Sequence, residues 1–280
     1  GSLRNLTTGS GNTATGLDSM YSVTSGSNNV GNGVNVLNLL TTGNDNIALG
    51  NSAMYGGSVD ANGIQIGITG DNNVSSGTAS MYYITSGNDN VGIGTKTLYN
   101  LTTGYENVAL GSYSLENCST GYDNTAVGYA SLQNCQSIEN CSFGEYSMKG
   151  STDSSNNPIY ITGTQNCVFG NYALQYISSG DGNSTFGYGS SRGITTGSSN
   201  TCIGSYSGTD ITTGSNNILI GLNAGVDGDS PMTVSTQDNT IVLGNNNISQ
   251  FWCKVGLTTT SDENLKKNII INGIKIKNPS

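Results

Sequence analysis

The 280-residue chain contains no histidine, three prolines and one tryptophan. Without histidine, imidazole acid–base chemistry and histidine-ligated metal sites are excluded. Charge is also sparse: Asp, Glu, Lys and Arg make up 10% of the residues, against about a quarter in ordinary globular domains. Positive charge is scarcest. Between positions 12 and 244, Lys96, Lys149 and Arg192 face sixteen acids. That balance excludes a phosphate-binding surface, and with it nucleic acid as a partner. No apolar run approaches the length of a membrane span and no secretory leader opens the chain, so membrane insertion is not expected. At 34% hydrophobic residues, the chain has too little apolar matter for a thick core, yet those residues keep a fixed register that disorder would not produce.

What the chain has is glycine, 41 of 280 residues, and a repeat. In residues 90–128 a five-residue unit, Asn-x-x-x-Gly, starts at Asn90, Asn107 and Asn124, 17 residues apart. The anchor extends back to Asn73, Asn46, Asn29 and Asn12, and forward to Asn140, Asn166, Asn183, Asn200, Asn217 and a stretched Asn239. A second glycine precedes most anchors by three residues, with Ser137 and Thr236 standing in before Asn140 and Asn239. Thirteen anchors in one register predict an all-β fold: a parallel β-solenoid or β-roll of about 13 seventeen-residue coils over 12–244. With neighbouring strands about 4.8 Å apart, such a stack is a rod of about 60 Å. Residues 1–11 read as an N-terminal cap or linker and 245–260 as a connector. Insertions near 56–66, 150–160 and 226–236 leave the register intact and so must loop outward, either as a binding face or as tolerated surface loops.

The aligned coils show columns. The first and third residues after each asparagine are mostly apolar and the second is small, which predicts a short strand with one apolar face. Two further columns lie eight residues on (Met81, Leu98, Leu115) and eleven on (Ile84, Leu101, Cys118). Together these give about four inward positions per coil, with turns at two glycines able to take positive φ. Such a thin interior suggests that coils stack against partner chains, so an oligomer is expected.

Six cysteines without histidine or a C-x-x-C pair do not make a zinc site. Cys118 and Cys135 share one column, and Cys141 and Cys167 another. They read as buried free thiols, with Cys202 or Cys253 as candidates for a partly exposed one. Acids recur just before the anchor at Asp45, Asp89, Glu106, Asp123, Glu139 and Asp238. The calcium-roll spacing is absent, so the reading is a solvated acidic edge with no metal. The paired threonines of the turns (Thr41-Thr42, Thr102-Thr103) are adjacent, whereas an ice-binding face needs alternate residues of a strand. No dinucleotide loop, nucleophile elbow or carboxylate pair is present, so no cofactor and no enzyme acting on an external substrate is expected. Fifteen tyrosines gather at the coil edge. Tyr82, Tyr113, Tyr146 and Tyr172 are the candidate ligand-binding residues, suited to stacking on carbohydrate or to capping chain–chain contacts.

The units NIALGNSAM, NVALGSYSL and NTAVGYASL resemble the head repeats of trimeric autotransporter adhesins, though these rungs are longer than that family's usual ones. The resemblance implies a left-handed parallel β-roll and a homotrimer. Similar 17-residue arrays are familiar in viral and phage fibres. The segment TTTSDENLKKNI, 258–269, resembles the opening of the self-cleaving intramolecular chaperone domain that ends phage tail spikes, with Asn264 where that family usually carries arginine. The likeness implies that Ser261 is a nucleophile and Lys266 its general base in one cut between Thr260 and Ser261. It makes 261–280 the start of such a domain, truncated, because the family's chaperone body is much longer than the 19 residues after Ser261. The expectation is therefore a structural and adhesive segment of a viral or phage-like trimeric fibre. It would lie on a virion or cell surface and attach to a host receptor, with carbohydrate as the ligand class. The alternatives are a bacterial cell-surface trimeric adhesin head and a passive fibre spacer.

Overall fold

In the computed structural model, which describes residues 1–57 and 59–250 with the backbone of 270–271 and 274–275, the chain winds into a parallel β-solenoid. One sheet of thirteen three-residue strands runs along it. These are β1 (Thr13–Thr15), β2 (Val30–Asn32), β3 (Ile47–Leu49), β4 (Val74–Ser76), β5 (Val91–Ile93), β6 (Val108–Leu110), β7 (Thr125–Val127) and β8 (Cys141–Phe143). After an insertion carrying β9 (Ser151–Thr152) and β10 (Pro158–Ile159), the sheet continues with β11 (Cys167–Phe169), β12 (Ser184–Phe186), β13 (Thr201–Ile203), β14 (Ile218–Ile220) and β15 (Ile241–Leu243). Each strand pairs in register with the one a coil later, as in Val108↔Thr125 and Thr125↔Cys141. There is no helix among the described residues. Gly1–Asn247 form one unit; in the second, β16 (Ile270–Ile271) and β17 (Ile274–Lys275) pair antiparallel.

The anchor asparagines hold the stack. Asn107 donates its backbone N–H and its Nδ2 to Asn90 Oδ1, at 3.1 and 3.0 Å, and donates Nδ2 again to the Gly121 carbonyl at 2.8 Å. The same set repeats in the coils of Asn124, Asn183 and Asn200. A buried amide with one carbonyl and two N–H bonds satisfies its neighbours only if the next coil carries another, which is why asparagine recurs and aspartate does not. The last rung differs from the sequence reading. Thr240, not Asn239, donates its N–H to Asn217 Oδ1 (2.9 Å), while Asn239 takes the preceding left-handed position at φ 58°. The position three before the anchor is then Gln237, whose carbonyl accepts Asn217 Nδ2 at 2.8 Å.

The two glycine columns do different work. Gly128 sits at φ +129°, and a Cβ there would lie 2.6 Å from the Gly144 carbonyl. Gly104, three before its anchor, is outside the left-handed region, contrary to the expectation of two positive-φ turns. It is needed because a Cβ would meet the Gly121 carbonyl oxygen at 2.2 Å. Most left-handed turn positions carry non-glycine residues: Met81, Leu98 and Leu115 adopt φ of 50°, 49° and 50° with fully buried side chains. That conformation costs about 1 kcal/mol or more, and burying a Leu or Met returns about 1.5–3 kcal/mol.

The strand's inward residue is the small middle one, which corrects the expected four inward columns. Gly92, Ala109, Ala126 and Ser142 face the interior, while the apolar first and third residues face out. The reason is space: the side chains of Met81 and Thr97 already fill the room opposite Gly92, whose Cβ would lie 3.0 and 3.1 Å from them. Residues 1–11 continue the pattern of the coils. Leu3 takes the left-handed conformation at φ 53° and packs on the core, and Thr7 bonds to Thr24 as later turn threonines bond to theirs.

Candidate functional surface

Two surfaces stand out, both built by repetition. The first is the outer face of the sheet. Ile47, Leu49, Ile93, Ile203, Ile220 and Leu243 expose between 39% and 50% of their surface there. Phe143, Phe169 and Phe186 add a stacked run with ring centroids 4.6 and 5.1 Å apart. Cys141 and Cys167 are paired in register on this face and half-buried, not buried as expected. Burial first, then its neighbour Cys167, pushes the Cys141 thiol up. Cys118, Cys135 and Cys202 are interior thiols, so Cys202 is not the exposed one. Burial pushes it to about 11.

The second surface is the tyrosine flank. Tyr113, Tyr146 and Tyr172 belong to one run of six rings on successive coils: Tyr113, Tyr129, Tyr146, Tyr172, Tyr188 and Tyr206, with centroids 5.3–5.7 Å apart. Tyr82 lies in a separate nest, stacked between Tyr55 at 5.0 Å and Tyr99 at 5.4 Å, with Tyr83 edge-on to Tyr82 and Tyr99. Lys96 joins the two groups, its Nζ 5.2 Å from the Tyr99 centroid and 6.0 Å from that of Tyr113. Burial first, then a hydrogen bond with Tyr83, pushes Tyr99 up to about 12. The sequence reading missed Tyr129 and Tyr188. They sit one position earlier in their coils than Tyr113 or Tyr146, and a strict column search passes over them.

All three bases of the array lie on this flank. Lys149 is 5.1 Å from the Tyr146 centroid, and Arg192 is 5.7 and 5.3 Å from those of Tyr172 and Tyr176. Among the described residues the one ion pair is that of the N-terminus with Asp18, so Lys96, Lys149 and Arg192 have no carboxylate partner there.

The insertions at 56–66 and 150–160 are one device used twice. Asp60 Oδ1 accepts the N–H groups of Asn62 and Ile64, and Asp153 Oδ1 those of Ser155 and Asn157. These bonds, with one from Asn157 Nδ2 to Asp153 Oδ2, hold both carboxyls below the usual range, chiefly the Ile64 N–H for Asp60 and the Asn157 side chain for Asp153. Val59 pairs antiparallel with Gln65, as β9 does with β10. Past each hairpin, Ile68 and Ile161 resume the interior column opposite Leu40 and Cys135. The third insertion is a loop whose Val234 returns to the interior.

At the acidic edge a hydrogen bond with Asp123, then its charge, raises Glu106. No group of three His, Cys, Asp or Glu residues able to hold a metal ion occurs among the described residues. The first threonine of each turn pair is tied down, Thr102 Oγ1 donating to the Ser119 carbonyl at 3.0 Å and Thr195 Oγ1 to that of Thr212 at 3.2 Å. Ser261, Lys266 and Cys253 lie outside the described residues. Comparison with known proteins finds no matching family model, no similar curated protein and no matching solved structure.

Proposed function

We propose that the chain is a structural and adhesive segment of a homotrimeric fibre, viral or phage-like, that attaches to a host surface. The observation carrying this reading is the apolar outer face of the sheet. Two outward columns along a rod of about 60 Å amount to an unpartnered patch on the order of 600 Å², at the upper end of what monomers leave exposed. Sharing that face among parallel copies would supply the interior that 34% hydrophobic composition denies a single chain. It would also align three tyrosine flanks and three sets of insertion hairpins on one shaft, where repeated weak contacts gain from avidity.

Sedimentation equilibrium tests the assembly. The expected species has three times the chain mass, and Ile93→Glu with Ile220→Glu shifts it to single chains. A wild-type monomer at micromolar concentration overturns the reading. Retention of cells or glycans by the trimer, lost on deleting 56–66 and 150–160, separates an adhesive segment from a passive spacer.

A further inference from the structure

We infer that the tyrosine flank is a binding strip for an acidic polysaccharide in which charged and neutral sugars alternate. The inference deepens the attachment reading and rests on it. In a chain segment with sixteen acids and three bases, chance would scatter the bases and pair them with carboxylates. Instead Lys96, Lys149 and Arg192 all lie against rings of one flank, and no carboxylate comes within ion-pair distance of them among the described residues. A cation over an aromatic face keeps most of its charge available to an outside anion. Glu116 and Glu145 border the same strip without pairing to a base: Glu116 accepts Gln133 Nε2 at 2.6 Å, and Glu145 donates its N–H to Asn171 Oδ1 at 3.0 Å.

The rings between the cations are the sugar platforms. Tyr129 and Tyr188 carry no base, stand at 63–79° to their neighbours in the run, and are 44% and 48% exposed. An exposed tyrosine offers an apolar ring to the apolar face of a sugar and a hydroxyl to its rim. Along the rod the order is Lys96, Tyr129, Lys149, then Tyr188 with Arg192. With about 4.8 Å per coil, the three cations stand about 14 and 10 Å apart. Isolated charges at such intervals, flanked by acids, match a glycan with spaced carboxylates and oppose a densely charged polyanion.

The test is titration of the full chain with hyaluronan, with its carboxyl-reduced form and with heparin, at two salt concentrations. Hyaluronan is expected to bind, carboxyl reduction to weaken it at least tenfold, and heparin to bind no more tightly. Tyr129→Ala and Lys149→Gln should each weaken hyaluronan about tenfold while sedimentation still shows the same assembly. Equal binding of the carboxyl-reduced polymer, tighter binding of heparin, or no binding of hyaluronan by an intact trimer overturns the inference and leaves the fibre reading standing. A monomer removes the fibre reading first. Should Tyr129→Ala fail to fold, Lys149→Gln decides alone.

Discussion

The interior of the solenoid is packed in opposite senses at its two ends. In the N-terminal coils the strand's inward residue is minimal and the residue eight past the anchor is large: Gly31 lies against Met20, and Gly92 against Met81. From Val168 onward the inward strand residue grows to Thr185, Cys202, Leu219 and Val242, while the opposite column shrinks to Ser191, Gly208 and Gly225. A Cβ on Gly225 would lie 2.1 Å from Leu219 Cδ2, and one on Gly208 2.6 Å from the Cys202 sulfur. One frame of asparagines and glycines thus accepts either filling, so long as the volume across the coil is conserved. The frame specifies the coil, and the filling is local.

If the frame is shared, breaking it should cost the same at both ends. Gly33→Ala and Gly204→Ala both place a Cβ 2.6 Å from the carbonyl oxygen of the next coil's glycine, at φ +145° and +129°. Each is expected to destabilise by about 4 kcal/mol or more, read from melting temperature and local hydrogen exchange. A small effect at one end would mean that the two ends are built differently after all.

The filling should show coupling only where large meets small. Leu219→Ala is expected to cost about 2–5 kcal/mol, and Gly225→Ala to cost a comparable amount through its clash with Leu219. In the double variant the clash is gone, so the sum should fall short by about 1–3 kcal/mol. Strict additivity in denaturant melts would sink the conserved-volume account.

The frame was legible in the sequence because it is made of residues with one job: the 17-residue spacing of Asn90, Asn107 and Asn124, with the glycines beside them, leaves little choice. The side of the strand that faces inward was not. Alternation of Val108, Ala109 and Leu110 says that one face is apolar, and in a thick core that face would be inside. A coil of 17 residues encloses too little room, and the clue was the size exchange between Gly92 and Met81 or Leu219 and Gly225, visible only by comparing columns across the coil. The tyrosine run was half legible, since its rings are divided between two adjacent coil positions. The left-handed turns at Leu98 and Leu115 carry no local signal, because burial imposes a conformation that leucine does not favour.

The C-terminal filling leaves a smaller mark. Thr185 Oγ1 and Ser191 Oγ are buried without a hydrogen bond. Thr185→Val keeps the shape and removes the stranded hydroxyl, so it should stabilise by about 1 kcal/mol. The leucine- and methionine-filled coils at the N-terminal end offer no such gain. A destabilised Thr185→Val would show that the hydroxyl is satisfied, and the contrast between the ends would weaken.

The faintest contrast is on the surface, and pH reaches it. The N-terminal half holds the nest in which burial, helped by Tyr83 and Tyr82, pushes Tyr99 up to about 12. In the unfolded chain that hydroxyl titrates near pH 10. Folding therefore favours the protonated form: its contribution is complete below pH 10 and is lost as pH rises towards 12. Tyr99 is half-buried and still reached by solvent, whose screening keeps the effect small. The melting temperature should sag over that window in wild type and flatten in Tyr99→Phe, with tyrosinate absorbance rising late. If both proteins sag alike, the loss belongs to the tyrosines of the six-ring run, where Tyr146 is raised chiefly by desolvation and then by Tyr129, and the nest is not the more alkali-sensitive region.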